Sequence, residues 1–189
     1  MAGKLREHTD FKHDSMVYGP IGEIRLKEIL TEKGHRWEDV SSNPDFHVFD
    51  VDILQYVTED SDLAKVLEAY RSNKSTVVAG AVSYEVKTDT FGIVSRNIVW
   101  EDISNSNPGC MARTKADYLF YVFIDKNKEI VEEFLIEVKK LRRWLLKNFG
   151  DLNKVEYLKS KSMQRGEDNT AIFLINVDKL VEEKIAIKL

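Results

Sequence analysis

Residues 81–90, AVSYEVKTDT, decide how the rest of the chain is read. The stretch opens as a strand, with Val82 and Tyr84 among β-prone residues, and then sets Glu85 and Lys87 two positions apart. On a strand, residues i and i+2 project from one face, about 7 Å apart. Glu85 and Lys87 therefore point to one side, while Val86 turns to the other side with Tyr84. Charge inside an otherwise apolar strand is costly unless it is paired or liganded. A solvated surface face is the plain alternative, since most exposed acid–base pairs have no further role.

A second strand-like segment upstream, FDVDILQ at 49–55, favours the chemical reading. Asp50 and Asp52 are flanked there by Phe49, Val51 and Ile53, and on a strand they share a face. If this segment pairs with the strand around 76–88, an aspartate lies beside Glu85 at cross-strand distance. Two carboxylates that close repel and need a compensating charge. A hard divalent cation supplies it: Mg²⁺, with Mn²⁺ as a substitute, suits two acids, a backbone carbonyl such as that of Val86, and waters. Such a cation acidifies a bound water and offsets charge on a phosphate oxygen. A lysine beside it can orient that water, take its proton, or stabilise the transition state. Metal-assisted phosphodiester hydrolysis needs little more.

Working outward, GEIRLKEILTEKGHRWEDV places Ile24, Leu26, Ile29 and Leu30 at helical spacing with Gly34 as a stop, which predicts a helix over about 20–33. Residues 1–17 read as a loosely ordered lead-in, and 18–189 as one domain. A turn at Ser41–Asp45 and an extended run Phe46–Tyr56 follow. The segment EDSDLAKVLEAYRSN puts Leu63, Val66, Leu67 and Tyr70 on one helical face. STVVAGAVSYEVKTD and RNIVWEDI read as strands, SNSNPGCMARTKAD as a loop and YLFYVFID as a core strand. KEIVEEFLIEVKKLRRWLLKNFG has apolar residues at helical spacing and reads as one long helix or two short ones. A charged connection, KVEYLKSKSMQRGEDNT, leads to a last strand, AIFLINV, followed by a short helix or tail. The expected fold is a mixed β-sheet flanked by helices.

Composition narrows the function classes. The chain has 189 residues, enough for one well-buried domain core. The single cysteine, Cys110, excludes an internal disulfide and a thiolate zinc site, and suits a reducing compartment. The first twenty residues are polar and broken by charge, so they read as neither signal peptide nor anchor. No apolar run approaches the roughly 18–20 residues of a membrane helix, so no membrane partner is expected. A net charge of −4 argues against nonspecific nucleic-acid binding by total charge, though the distribution of charge counts for more than its sum.

The two acidic stretches carry a family resemblance. DVDILQ followed by SYEVKTD resembles the core of the PD-(D/E)XK nuclease superfamily, the restriction-endonuclease-like fold. GEIRLKEIL, NPDFHVFDVDILQYV, RNIVWEDI, TKADYLFYVF and DNTAIFLINVDKL are similar to flanking elements of small phage and bacterial members, so the likeness spans about residues 18–181. It implies an α/β fold and a Mg²⁺-dependent endonuclease acting on DNA more than on RNA. It implies Asp52 and Glu85 as metal ligands, with Asp50 the alternative to Asp52, and Lys87 as the catalytic lysine. Glu23 and Glu101 take supporting roles, as water-mediated metal contacts or in orienting Lys87. The expected setting is the cytoplasm of a bacterium, an archaeon or a phage-infected host. A homodimer or a partner protein is compatible. The alternative in another class is an inactive nuclease fold kept as a binding module, for example a phage protein engaging a host defence or replication complex.

The remaining polar residues read more plainly. His8, His13, His35 and His47 lack metal-ligand spacing, and Cys110 has no base nearby in sequence. Thr114 and Asp117 read as structural residues ending the loop before YLFYVF. Two basic segments are candidate phosphate-binding surfaces. One places Lys139, Lys140, Arg142, Arg143 and Lys147 around Trp144, the other holds Lys159, Lys161 and Arg165, and a solvated helix flank is the alternative for the first.

Overall fold

A computed structural model of the chain describes residues 11–104, 107–149 and 171–189. Helix α1, Phe11–Glu32, begins well before the expected start near residue 20, so residues 11–17 are helix rather than lead-in. Pro20 is a natural first helical residue, but here the helix runs through it, at the cost of one backbone bond. Its end is the one the sequence signals. Gly34 adopts φ +71°, and the Gly34 and His35 N–H groups donate back to Thr31 and Leu30 carbonyls at 2.9 Å.

The next segments depart from expectation. Residues 36–39 form strand β1 (Arg36–Asp39), and Pro44–His47 form a helical turn, α2, in place of the start of an extended run. The Asn43 side chain caps that turn by accepting from the Asp45 N–H at 3.0 Å, with Pro44 in the first turn. Asp50 then takes φ +46°, so strand β2 is only Ile53–Tyr56, and Asp50 and Asp52 do not share the face of one strand. Helix α3, Leu63–Arg71, is as expected, capped by Asp62. The segment after it does not start as a strand. Thr76–Ala79 is a single 3₁₀ turn ending at Gly80 in the left-handed region, and strand β3 runs Ala81–Asp89.

A short helix α4 (Gly92–Ser95) precedes β4 (Asn97–Ser104), the two-residue β5 (Asn107–Pro108) and α5 (Cys110–Arg113). Strand β6, Tyr118–Ile124, is the expected core strand. The long helix expected after it is half strand. Ile130–Glu137 forms β7, and helix α6 begins only at Val138, ending at Phe149. Helical spacing of apolar residues was the misleading signal; hairpin pairing with β6 overrides it. The chain closes with β8 (Ala171–Asn176), α7 (Val177–Glu182) and β9 (Ala186–Lys188).

The strands make two sheets. The larger has six strands in the order β1-β2-β3-β6-β7-β9, with a single parallel pair, β3 with β6. The smaller has the order β5-β4-β8. Helix α1 covers one face of the large sheet, burying Leu26 and Leu30 against Tyr84, Val86, Phe120 and Val122. Gly22 permits that approach: a Cβ there would lie 2.6 Å from Thr88 Oγ1 and 2.8 Å from Val86 Cγ1. The small sheet and α6 cover the opposite face, packing Ile98, Trp100, Phe173 and Leu141 against Leu119, Tyr121 and Phe123. The mixed α/β sheet flanked by helices is therefore as expected. No helix among the described residues is long and apolar enough to cross a membrane.

Two polar clusters tie these layers together. Asp117 Oδ2 accepts from Ser83 N–H at 3.0 Å, from Ser83 Oγ at 2.8 Å and from Thr76 Oγ1. It thereby fixes the start of β6 to β3 and to the 3₁₀ turn. Replacing Asp117 by Ala orphans three donors and should cost about 2–3 kcal/mol in urea unfolding. Arg96 pairs with Glu132 on β7 and, at 2.5 Å, with Asp178 on α7, while Lys188 reaches Glu132 at 2.7 Å. Burial alone would raise the Glu132 carboxyl, but Lys188 and Arg96 hold it below the ordinary value; Arg96 does the same for Asp178. Groups lowered in the folded state stabilise it above their unfolded values, and that contribution is lost as pH falls through the folded ones. The stability gap between wild type and Arg96→Met should therefore be full at pH 6 and shrink as the pH drops below about 4.

Candidate active site

Asp52 sits one residue outside β2, yet its backbone is held on both sides. Its N–H donates to the Tyr84 carbonyl at 2.9 Å, and its carbonyl accepts from the Val40 N–H at 2.8 Å. The first residue of β2, Ile53, lies opposite Tyr84, so Val86, two residues further along β3, has passed the end of its neighbour. The Asp52 side chain fills that gap: Oδ2 accepts the Val86 N–H at 2.7 Å. The sequence-derived neighbours thus come together. Asp52 meets the Glu85–Val86–Lys87 segment through a side-chain-to-backbone bond rather than through the regular pairing expected.

Glu85 and Lys87 share a face, as strand alternation requires. Lys87 Nζ lies 2.5 Å from Glu85 Oε1, with the lysine side chain one-third exposed and the glutamate buried. That face is the one turned to the small sheet, because Glu85 and Lys87 stand in register with Leu119 and Tyr121 of β6. Among the described residues Glu85 Oε2, which is buried, has no hydrogen-bond partner. Burial, chiefly, and the charges of Asp52 and Asp50 push the Glu85 carboxyl up to about 8, against the opposing pull of Lys87. The Asp52 carboxyl is also raised by burial, with the Val86 N–H pulling the other way.

Asp50 is in the cluster but already paired. Arg113 Nη2 donates to Asp50 Oδ1 at 3.1 Å and Nε lies 3.0 Å from Oδ2. Asp50 is thus held by one hydrogen bond and one ion-pair contact, and among the described residues its Oδ2 accepts no hydrogen bond. Glu23, on α1, is half-buried; its carboxyl is raised first by burial and then by the charge of Asp52, with Lys27 at 3.8 Å opposing. Lys27 also bonds Asp39 at the end of β1. Glu101 lies on β4 in the small sheet, half-buried, not in the sheet that carries Asp52, Glu85 and Lys87.

The basic candidates fare differently. Arg142 is not a surface phosphate ligand: it is partly buried and donates to the Met111, Ala112 and Thr114 carbonyls. Lys139 and Arg143 are exposed, Lys140 pairs with Glu137 at 2.8 Å, and Trp144 is buried rather than displayed among the cations. Lys159, Lys161 and Arg165 lie outside the described residues. Thr114 and Asp117 are structural, as read: Thr114 Oγ1 donates to the Asp50 carbonyl at 2.8 Å. Sequence reading missed Arg113, which is 63 positions from Asp50 in a loop-like segment with no periodic pattern. Only the fold brings the two together.

Comparison with family models, with curated proteins and with solved structures gave no match. The site must therefore be judged on its own geometry. Among the described residues no group of three or more His, Cys, Asp or Glu side chains is arranged to hold a metal ion. The two carboxylates of Asp52 and Glu85, one of them with an unpartnered buried oxygen, do fit a magnesium ion that keeps most of its waters. A cation there would satisfy Glu85 Oε2 and offset the burial, and the lesser charge of Asp52 and Asp50, that raise Glu85.

The raised Glu85 carboxyl has a stability consequence. A carboxyl that ionises near 4.5 unfolded and near 8 folded leaves stability intact below 4.5 and erodes it as pH rises through 8. In metal-free buffer Glu85→Gln should be close to wild type at pH 4.5. It should become more stable than wild type by about 1–3 kcal/mol at pH 8, as read from denaturant midpoints.

Proposed function

We propose that this chain is a Mg²⁺-dependent nuclease of the PD-(D/E)XK type, with Mn²⁺ able to substitute, and that it hydrolyses phosphodiester bonds in DNA in preference to RNA. The observation that carries the reading is the clasp of Asp52 Oδ2 on the Val86 N–H beside a buried Glu85 with Lys87 on the same face. Two acids and a lysine at one point of a mixed sheet are what the resemblance implies. They can also serve metal-assisted hydrolysis of a phosphodiester. The preference for DNA rests on the resemblance alone.

In this reading Asp52 and Glu85 hold the magnesium, with the Val86 carbonyl as a third donor. Bound there, the ion would acidify a water and neutralise charge on the scissile phosphate. The protein's own part follows from its contacts. Binding of Val86 N–H commits Asp52 Oδ2 and fixes the rotation of that carboxylate, which leaves Oδ1 as the ligating oxygen. Burial keeps bulk water from Glu85 and strengthens every charge interaction around it. The partly exposed Lys87 ammonium stands between Glu85 and solvent. There it can donate to a phosphate oxygen or hold the attacking water in line. Glu23 and Glu101 serve as outer acids that orient waters or Lys87.

A second reading keeps the fold as a binding module. What favours it is the shortage of ligands: two acids rather than three, with Asp50 already engaged by Arg113. Incubation with plasmid, single-stranded DNA and RNA, each with Mg²⁺ or Mn²⁺ against EDTA, separates the two. The nuclease reading expects metal-dependent cleavage of DNA. No cleavage of any substrate favours the binding module. Lys87→Ala should lower cleavage about 10³-fold with an unchanged circular-dichroism spectrum. Metal-dependent cleavage by that variant at the wild-type rate would sink the mechanism.

A further inference from the structure

We infer that Arg113 is the positioning residue that delivers Asp52 to Val86, with Arg142 as its buttress. Asp52 is not in a strand, so something other than regular pairing must hold the approach to it. Two residues earlier Asp50 stands at φ +46°, a conformation in which a non-glycine residue needs support. That support comes from one short segment, α5 and the residues after it. Arg113 Nη2 donates to Asp50 Oδ1 at 3.1 Å, and Nε lies 3.0 Å from Oδ2 as an ion-pair contact without a hydrogen bond. Thr114 Oγ1 donates to the Asp50 carbonyl at 2.8 Å, and the Lys115 N–H donates to the Phe49 carbonyl at 2.8 Å. Three consecutive residues thus grip two consecutive residues of the turn.

The gripping segment is itself fixed from behind. The Arg142 guanidinium, on α6, gathers the carbonyls of Met111 at 3.3 Å, Ala112 at 3.2 Å and Thr114 at 2.5 Å, and lies 5.8 Å from the centre of the Trp100 ring. Its three acceptors sit immediately around Arg113. A continuous chain of contacts therefore runs from α6 through residues 111–115 to Phe49 and Asp50, and ends at the Asp52–Val86 bond. One hydrogen bond and one ion-pair contact from the same planar guanidinium set the orientation of the carboxylate as well as its distance. A lysine in place of Arg113 could supply charge but not the fork. Without the guanidinium, a largely buried Asp50 carboxylate would stand unpaired beside Asp52 and Glu85, and the turn would relax away from them.

The catalytic meaning of this positioning rests on the nuclease reading, but its test does not. Amide hydrogen exchange, followed by NMR on the full-length protein without metal, reads the Asp52–Val86 bond directly. In Arg113→Met the Val86 amide should exchange at least about tenfold faster, while the Ser83 and Asp117 amides, which belong to the Asp117 cluster, keep their wild-type rates. Asp50→Asn removes the same pair from the other side with a residue that tolerates positive φ, so it should reproduce the effect. Arg113→Lys should fall between. An unchanged Val86 rate in both Arg113→Met and Asp50→Asn overturns the inference. So does acceleration of Val86 in step with Ser83 and Asp117, which would mean loss of global stability alone. If wild type cleaves, Arg113→Met should lower kcat with KM little changed. A wild type that cleaves nothing fails the nuclease reading and leaves the exchange result to judge Arg113.

Discussion

Strand β2 stops two residues short of Val86, and the N–H that would be orphaned there is taken by the carboxylate of Asp52. An unpaired buried N–H costs as much as a lost hydrogen bond, so the sheet itself demands an acceptor at this point. The acceptor happens to be ionisable, which makes one oxygen of Asp52 a structural atom of the sheet. Everything else near the site follows from keeping that acceptor in place. Asp50 adopts a strained backbone to swing the chain off the sheet, and residues 113–115 hold it there.

The charge arrangement is lopsided in a way that structure alone does not reward. Asp50, Asp52, Glu85 and Glu23 lie in one small region, and all four are raised above their ordinary values chiefly by burial. Arg113 lowers the Asp50 carboxyl without overcoming its burial, and among the described residues neither Asp50 Oδ2 nor Glu85 Oε2 has a hydrogen-bond partner. Elsewhere the same protein pairs its acids well: Glu133 with Arg25, and Glu132 with both Arg96 and Lys188. The chain thus satisfies its acids in one half of the sheet and carries the cost of two unbonded carboxylate oxygens, Asp50 Oδ2 and Glu85 Oε2, in the other.

Much of this was legible in the sequence, and the failures have physical reasons. Alternation on β3 placed Glu85 and Lys87 together, because burial on both faces of a sheet leaves little freedom of register. Helix α3 and strand β6 were legible for the same reason, one by its apolar face and the other by its aromatic run. The Asn43-Pro44 cap was visible but was read as a turn only, and the helical turn it starts shortened β2. Strand β7 was hidden because its apolar residues also satisfy helical spacing; only pairing with β6 decides between the two. Arg142 looked like a surface cation since its neighbours are charged, and no local pattern says that a guanidinium will cap carbonyls thirty residues away. Contacts between distant segments are what a single sequence conceals.

The lone parallel pair, β3 with β6, has a consequence for how the molecule is made. Parallel neighbours cannot be joined by a tight turn, and here the connection carries β4, which pairs with β5 nearby and with β8, residues 171–176, on its other side. Strands β1, β2 and β3 emerge from the ribosome early and can associate locally. The small sheet, packed on the face that carries Glu85 and Lys87, gains β8 only once residue 176 has been synthesised. A nascent chain halted before residue 171 would lack Phe173 and Ile175, which pack over that face. Burial of one side of β3 therefore waits on a strand drawn from far along the chain.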